Sequence, residues 1–136
     1  YDKAISLYDK LLAIDSNYVD ALYNKGLALY VLGRYEEALQ YYDTVLVLDP
    51  EHLNTLFNKG LAFSHLGRYE EAITYYDKIL VIDPNYVDAL NNKGLALDKL
   101  GRYEEAISVF DKALAIDPNY VSALSNKGLA LDMLGR

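Results

Sequence analysis

The chain has no cysteine and no tryptophan, and its 136 residues include three prolines, two histidines and one methionine. Without cysteine, neither a disulfide framework nor a thiolate metal site can form. No apolar run approaches the ~18 residues that a membrane-spanning helix needs. Positive charge is scarce: 13 Lys and Arg against 20 Asp and Glu leave a net charge of −7 and a pI near 4.7. That balance argues against a nucleic-acid partner, because phosphate binding relies on clustered Lys and Arg. His52 and His65 have no nucleophile or ligand cluster at a defined spacing, so no catalytic residue, metal site or cofactor is expected. No signal-peptide pattern is present. The chain opens on Tyr1-Asp2-Lys3-Ala4-Ile5 without Met, which reads as the middle of a repeat. It is therefore expected to be a piece of a longer, cytoplasmic protein.

What the sequence does contain is one pattern, four times. The stretch NKGLAL begins at Asn24 and Asn92 and returns at Asn126, with NKGLAF at Asn58, so successive copies stand 34 residues apart. Tyr1, Tyr35, Tyr69 and Tyr103 open the blocks, and Leu-Gly-Arg closes them at Arg34, Arg68, Arg102 and Arg136. An acidic stop divides each block at Asp15-Ser16, Asp49-Pro50, Asp83-Pro84 and Asp117-Pro118.

Both segments of a block have helical periodicity. In the first, Ala72, Tyr76, Ile79, Leu80 and Ile82 recur near helical spacing. Glu70 and Glu71 sit in its first turn, where negative charge complements the helix dipole. Such pairs recur in three of the four blocks and read as solvated helix starts. The segment ends at Asp83-Pro84, since proline cannot continue a helix and restricts the residue before it. In the second, Leu90, Gly94, Leu97 and Leu100 form one face, and Gly101 supplies a left-handed C-terminal cap. Asn85 with Asp88, or Asp83 with Pro84, is the expected N-terminal cap. Short connections force antiparallel neighbours, so the expected fold is all-α: a right-handed α–α superhelix, or solenoid, of eight helices in four 34-residue units.

This pattern resembles the tetratricopeptide repeat. With Val87 as the first position of a repeat, the family's small residues fall on Gly94, Ala106 and Ala113. Its loop glycine falls on Gly101, its aromatics on Tyr103 and Phe110, and its closing proline on Pro118. The other blocks match at Gly26, Gly33, Tyr35, Ala38, Tyr42 and Pro50, and at Gly60, Gly67, Tyr69, Ala72, Tyr76 and Pro84. Residues 1–136 then form one array. It holds a second helix at the N-terminus, full repeats over 17–50, 51–84 and 85–118, and a first helix at the C-terminus. The sequence departs from the family in having Leu at the frequent Trp position (Leu22, Leu56, Leu90, Leu124). It also has Lys at a usual Leu position (Lys25, Lys59, Lys93, Lys127), where the methylenes are expected to line the packing face with the ammonium in water. Mid-helix Gly26, Gly60, Gly94 and Gly128 each cost about 1 kcal/mol relative to Ala, and the expected compensation is close approach of a neighbouring helix.

The resemblance implies a protein-interaction scaffold whose first helices line a concave groove. The corresponding stripe is Asp20, Tyr23, Asn24, Leu27, Tyr30 and Val31 in the first block. Next come Asn54, Phe57, Asn58, Leu61, Ser64 and His65, then Asp88, Asn91, Asn92, Leu95, Asp98 and Lys99. The last is Ser122, Ser125, Asn126, Leu129, Asp132 and Met133. In the family, asparagines at the site of Asn24, Asn58, Asn92 and Asn126 contact the backbone of a bound peptide. An amide has both donors and an acceptor for that task. Hydrogen bonding to a neighbouring helix is the structural alternative for the same residues. Tyr23, Tyr30 and Phe57 suit apolar side chains, whereas Asp88 and Asp98 suit Lys or Arg, so the expected partner is a peptide with both. The clamp by which some family members hold acidic chaperone tails needs cations where this chain has Asp20, Tyr23, Leu27, Asn54 and Asp88. It is not expected here.

The terminal helices expose a second candidate surface. Ala4, Tyr8 and Leu11 at one end, and Leu124, Gly128 and Leu131 at the other, would lack neighbours. Arg136 followed by another copy's Tyr1 would read LGRYDKAI, close to the internal LGRYEEAL and LGRYEEAI. Head-to-tail homo-oligomerisation is the alternative function: a structural module that self-assembles by stacking its ends.

Overall fold

The computed structural model describes residues 1–136 and contains eight α-helices and no strand. Two compact units divide the chain, Tyr1–Leu66 and Gly67–Arg136. The first holds α1 (Asp2–Ile14), α2 (Val19–Val31), α3 (Tyr35–Leu48) and α4 (Leu53–His65). The second holds α5 (Tyr69–Ile82), α6 (Val87–Lys99), α7 (Tyr103–Ile116) and α8 (Val121–Met133). No helix is long and apolar enough to cross a membrane.

Within each unit, consecutive helices pack on one another and the two first-of-hairpin helices, α2 with α4 and α6 with α8, touch as well. The reversal after α6 follows from its last residues. Gly101 adopts φ +76°, a left-handed conformation costly for any residue with a Cβ. Its N–H donates to the carbonyl of Asp98, and that of Arg102 to Leu97, so two of the helix's terminal carbonyls are satisfied.

The start of α6 differs from expectation. Tyr86, not Asn85 or Asp83, is its N-cap, and no side chain caps it. The Asp83 carboxylate instead accepts from the backbone N–H of Asn85 at 3.0 Å, which turns the loop and leaves Pro84 outside the helix. α4 is the exception: His52 Nδ1 accepts from the Thr55 N–H.

The core of each unit is built from the periodic positions. In the second, Leu90, Leu97, Ala106, Phe110 and Ala113 are all buried. The buried glycine of α6 faces a ring: a Cβ at Gly94 would run into Phe110. In the first unit, a Cβ at Gly26 would lie 2.6 Å from Tyr42 Cε1, and Tyr42 is fully buried. These contacts account for two of the glycines that helix propensity disfavours.

The lysines are paired rather than simply hydrated. Lys25 binds Asp9 and Lys59 binds Asp43, while Lys93 reaches Asp77 at 2.7 Å and Lys127 reaches Asp111 at 2.6 Å. In each case the carboxylate belongs to the preceding helix. Burial opposes the charge of Lys25, but hydrogen bonds from its ammonium to Asp9 and to the Tyr41 hydroxyl, 2.6 Å away, outweigh it and raise its pKa. Arg34, Arg68 and Arg102 likewise bind Glu37, Glu71 and Glu105 one turn on. The carboxylates that open these helices are therefore ion-paired as well as solvated.

Candidate functional site

In the first unit the stripe residues of α2 and α4 form an aromatic surface. The Asn58 amide donates to the Tyr23 hydroxyl at 2.9 Å. The Tyr23 ring lies 5.2 Å from His52, centroid to centroid. At the other end of α2, Tyr30 meets Tyr35 and His65 edge-on at 5.3 and 5.5 Å, and His65 stacks flat on Tyr35 at 4.8 Å. Burial raises the pKa of both Tyr23 and Tyr30, so both phenols stay neutral and present apolar ring with a hydroxyl rim. Asn24, Leu27 and Leu61 are half-buried, and Asp20 and Asn54 are exposed.

In the second unit the same positions carry amides and carboxylates. The Asn126 amide donates to Asn91 Oδ1 at 3.1 Å, and Asn91 is 5% exposed. Asn91 thus joins α6 to α8 instead of standing open. Asp88 accepts from the Tyr120 hydroxyl; burial first, and then this carboxylate, raise the Tyr120 pKa. Asn92 and Leu95 are half-buried. Asp98 is half-buried too, and its Oδ1 is shielded from solvent without a hydrogen-bond partner. A cleft of about 400 Å³ among α5, α6 and α7, over Leu80, Val81 and Leu90, shares no residue with this stripe.

The asparagines therefore divide. Asn58 and Asn126 spend a donor on the residue 35 positions earlier, Tyr23 and Asn91, while the carbonyl oxygen of each can still accept. Asn24 and Asn92 make no side-chain hydrogen bond. Sequence reasoning missed the Lys–Asp rungs beneath the stripe, although Asp and Lys recur 16 residues apart in every block: Asp9 and Lys25, Asp43 and Lys59, Asp77 and Lys93, Asp111 and Lys127. His52 is a packing aromatic and helix cap, at the position where the other blocks have Tyr18, Tyr86 and Tyr120. No group of three or more His, Cys, Asp or Glu could hold a metal ion.

Comparison with known proteins agrees with the hairpin geometry. One family model described as tetratricopeptide repeat matches residues 1–52 and 23–87, and a second with the same description matches 87–120. The chain belongs to the tetratricopeptide repeat family, and its fold is that family's α-solenoid, a general protein-interaction scaffold. Among solved structures, a crystal structure of MamA is 28% identical with a TM-score of 0.93, over 98% of this chain and 78% of its own. MamA from Desulfovibrio magneticus RS-1 is 26% identical with a TM-score of 0.89, over 95% of this chain and 73% of its own. YrrB, a TPR protein with an unusual peptide-binding site, is 25% identical with a TM-score of 0.84, over 98% of this chain and 69% of its own. No curated protein sequence matches significantly.

Proposed function

We propose that the chain captures extended segments of partner proteins on the stripes of its first-of-hairpin helices. The acidic stripe of α6 receives Lys or Arg, and the aromatic stripe of α2 and α4 receives apolar side chains. The observation that carries this reading is the carboxylate of half-buried Asp98, whose Oδ1 is shielded from solvent and has no hydrogen-bond partner. A cationic side chain on the solvent side of that carboxylate would give it a charge-assisted bond. At the equivalent position the first two repeats have Tyr30 and Ser64 and the last has Asp132, so the charge is confined to the second unit and is not a requirement of the scaffold. Asn24 and Asn92 offer amides for a peptide backbone, and Tyr23 and Tyr30 are rigid rings of the type enriched at binding hot spots. The peptide-binding site of YrrB supports a peptide as the ligand class.

The test is a fluorescence-anisotropy titration with unstructured peptides combining apolar residues with either Lys and Arg or Glu. The basic peptide is expected to bind, and Asp98→Asn to weaken it about tenfold, which corresponds to ~1.4 kcal/mol. Equal affinity for both peptides, or no effect of Asp98→Asn at low salt, would sink the reading. The alternative function, self-assembly, draws on the end helices, so substitutions at Asn58 and Asn92 separate the two: they weaken peptide capture and leave assembly intact.

A further inference from the structure

The cleft among α5, α6 and α7 stands where the chain omits one of its own rings. In the first unit, Tyr41 of α3 sits on the Lys25–Asp9 rung that joins α2 to α1. Its hydroxyl accepts from the Lys25 ammonium at 2.6 Å, and that ammonium lies 4.4 Å from the ring centroid. At the same position α5 has Tyr75, with Lys78 Nζ 4.6 Å from the ring centroid. α7 has Val109 there instead. Val109, Leu80, Val81 and Leu90 line the cleft, together with the Lys93–Asp77 rung and Lys112. Lys93 keeps Asp77 at 2.7 Å but meets no ring or hydroxyl, and its side chain is 26% exposed against 12% for Lys25. Lys112, the counterpart of Lys78, is exposed and has no ring, hydrogen bond or ion pair.

We propose that this cleft receives a tyrosine side chain of a partner protein, inserted where the chain's own repeat pattern places Tyr41. The aliphatic residues pack against the ring, Lys93 donates to the phenol oxygen, and Lys112 lies over the ring face in a cation–π contact. The choice of tyrosine follows from the two lysines, whose counterparts Lys25 and Lys78 each lie over a phenol ring. Asp77 already neutralises Lys93, so the missing partner is a neutral oxygen acceptor on an aromatic ring, which a phenol is at neutral pH. Phenylalanine lacks the oxygen, and an anionic ring would face the Asp77 carboxylate. The cleft's volume of about 400 Å³ is at the small end of the roughly 300–1,000 Å³ usual for ligand pockets, which suits one side chain and its adjoining backbone. The site shares no residue with the stripes of the first-of-hairpin helices and does not rest on them.

Amide NMR titration of the full chain tests this with four probes: p-cresol, toluene, and an unstructured Gly-Ser peptide carrying one Tyr or one Phe. p-Cresol and the Tyr peptide are expected to shift the amides of Val81, Lys93 and Val109 and to leave Leu95 and Asp98 on the stripe unmoved. Toluene and the Phe peptide are expected to bind about fivefold more weakly, the usual scale for one lost hydrogen bond. Val109→Tyr supplies the ring from within, so it is expected to melt higher and to lose binding. Lys112→Gln, at an exposed position, is expected to weaken the Tyr peptide about threefold and carries the test alone should Val109→Tyr fail to fold. Shifts on the stripe instead of the cleft, equal binding of p-cresol and toluene, or undiminished binding by either variant overturns the proposal. Binding of p-cresol without the Tyr peptide makes the cleft a site for small phenols and overturns the partner side chain as its occupant.

Discussion

Tyr42 fills the Gly26 notch with its ring, yet its hydroxyl is buried without a partner. Burial holds its pKa far above the ordinary phenol value of about 10. Phe110 performs the same packing without a hydroxyl. Tyr42→Phe is therefore expected to stabilise the fold by about 1 kcal/mol, the usual scale for relieving an unpaired buried polar group. The pKa shift sets the sign with pH. A raised folded-state value stabilises fully below pH ~10 and fades as pH rises through the folded value, so thermal melts above pH ~10 should show alkaline destabilisation smaller in the variant. The glycines make an opposed pair. Gly26→Ala gains about 1 kcal/mol of helix propensity but forces a Cβ into Tyr42, and overpacking of ~1–3 kcal/mol leaves it net destabilising. Gly128→Ala meets no obstacle and is expected to stabilise the monomer by up to ~1 kcal/mol. Equal shifts in melting temperature at the two sites would show that the notch is not tight.

Each of three second-of-hairpin helices, α3, α5 and α7, begins with an arginine bonded to a glutamate one turn on. In α7, Arg102 Nη2 meets Glu105 Oε2 at 2.7 Å. The hydrogen bond from Arg102 holds the Glu105 pKa below the ordinary value. A lowered folded-state pKa stabilises above the ordinary glutamate value of about 4.3 and is lost as pH falls through the folded value. Glu105→Gln is expected to melt slightly below the unmodified chain at neutral pH and to converge with it in acid; a gap that persists at low pH would mean the bridge is not its origin. The helices, their glycine turns and the buried Leu90, Gly94 and Leu97 were legible in the sequence because four copies of one period leave little freedom in phase. The N-cap was not, since Asp83, Asn85 and Asp88 are all good cappers and the loop used Asp83 for a turn. Nor were the Lys–Asp rungs, because 16 residues is no helical period and gains meaning only after two helices are docked. The stripe was legible as positions. That Asn58 and Asn126 would each spend a donor on a neighbouring helix, and that Asn91 would be buried, depended on distances between α2 and α4 and between α6 and α8.

Across the whole molecule the charge of −7 acts on any partner before contact. A basic peptide is drawn in by the summed field and an acidic one repelled, an effect that salt screens within roughly 8–10 Å. The affinity difference in the peptide titration should therefore narrow as salt rises, while part of the loss caused by Asp98→Asn should persist, because a contact made at a half-buried carboxylate is screened less. Membership of the family places recognition on a scaffold whose packing rests on a few repeated positions, leaving Tyr30, Ser64, Asp98 and Asp132 to vary. The ring-into-glycine joint has a consequence for how such a protein changes over generations. Every block carries both a ring and a notch, so an in-frame duplication or deletion of one block restores a complete joint at the new junction. Array length can then drift by unequal recombination, without any compensating point mutation in the core.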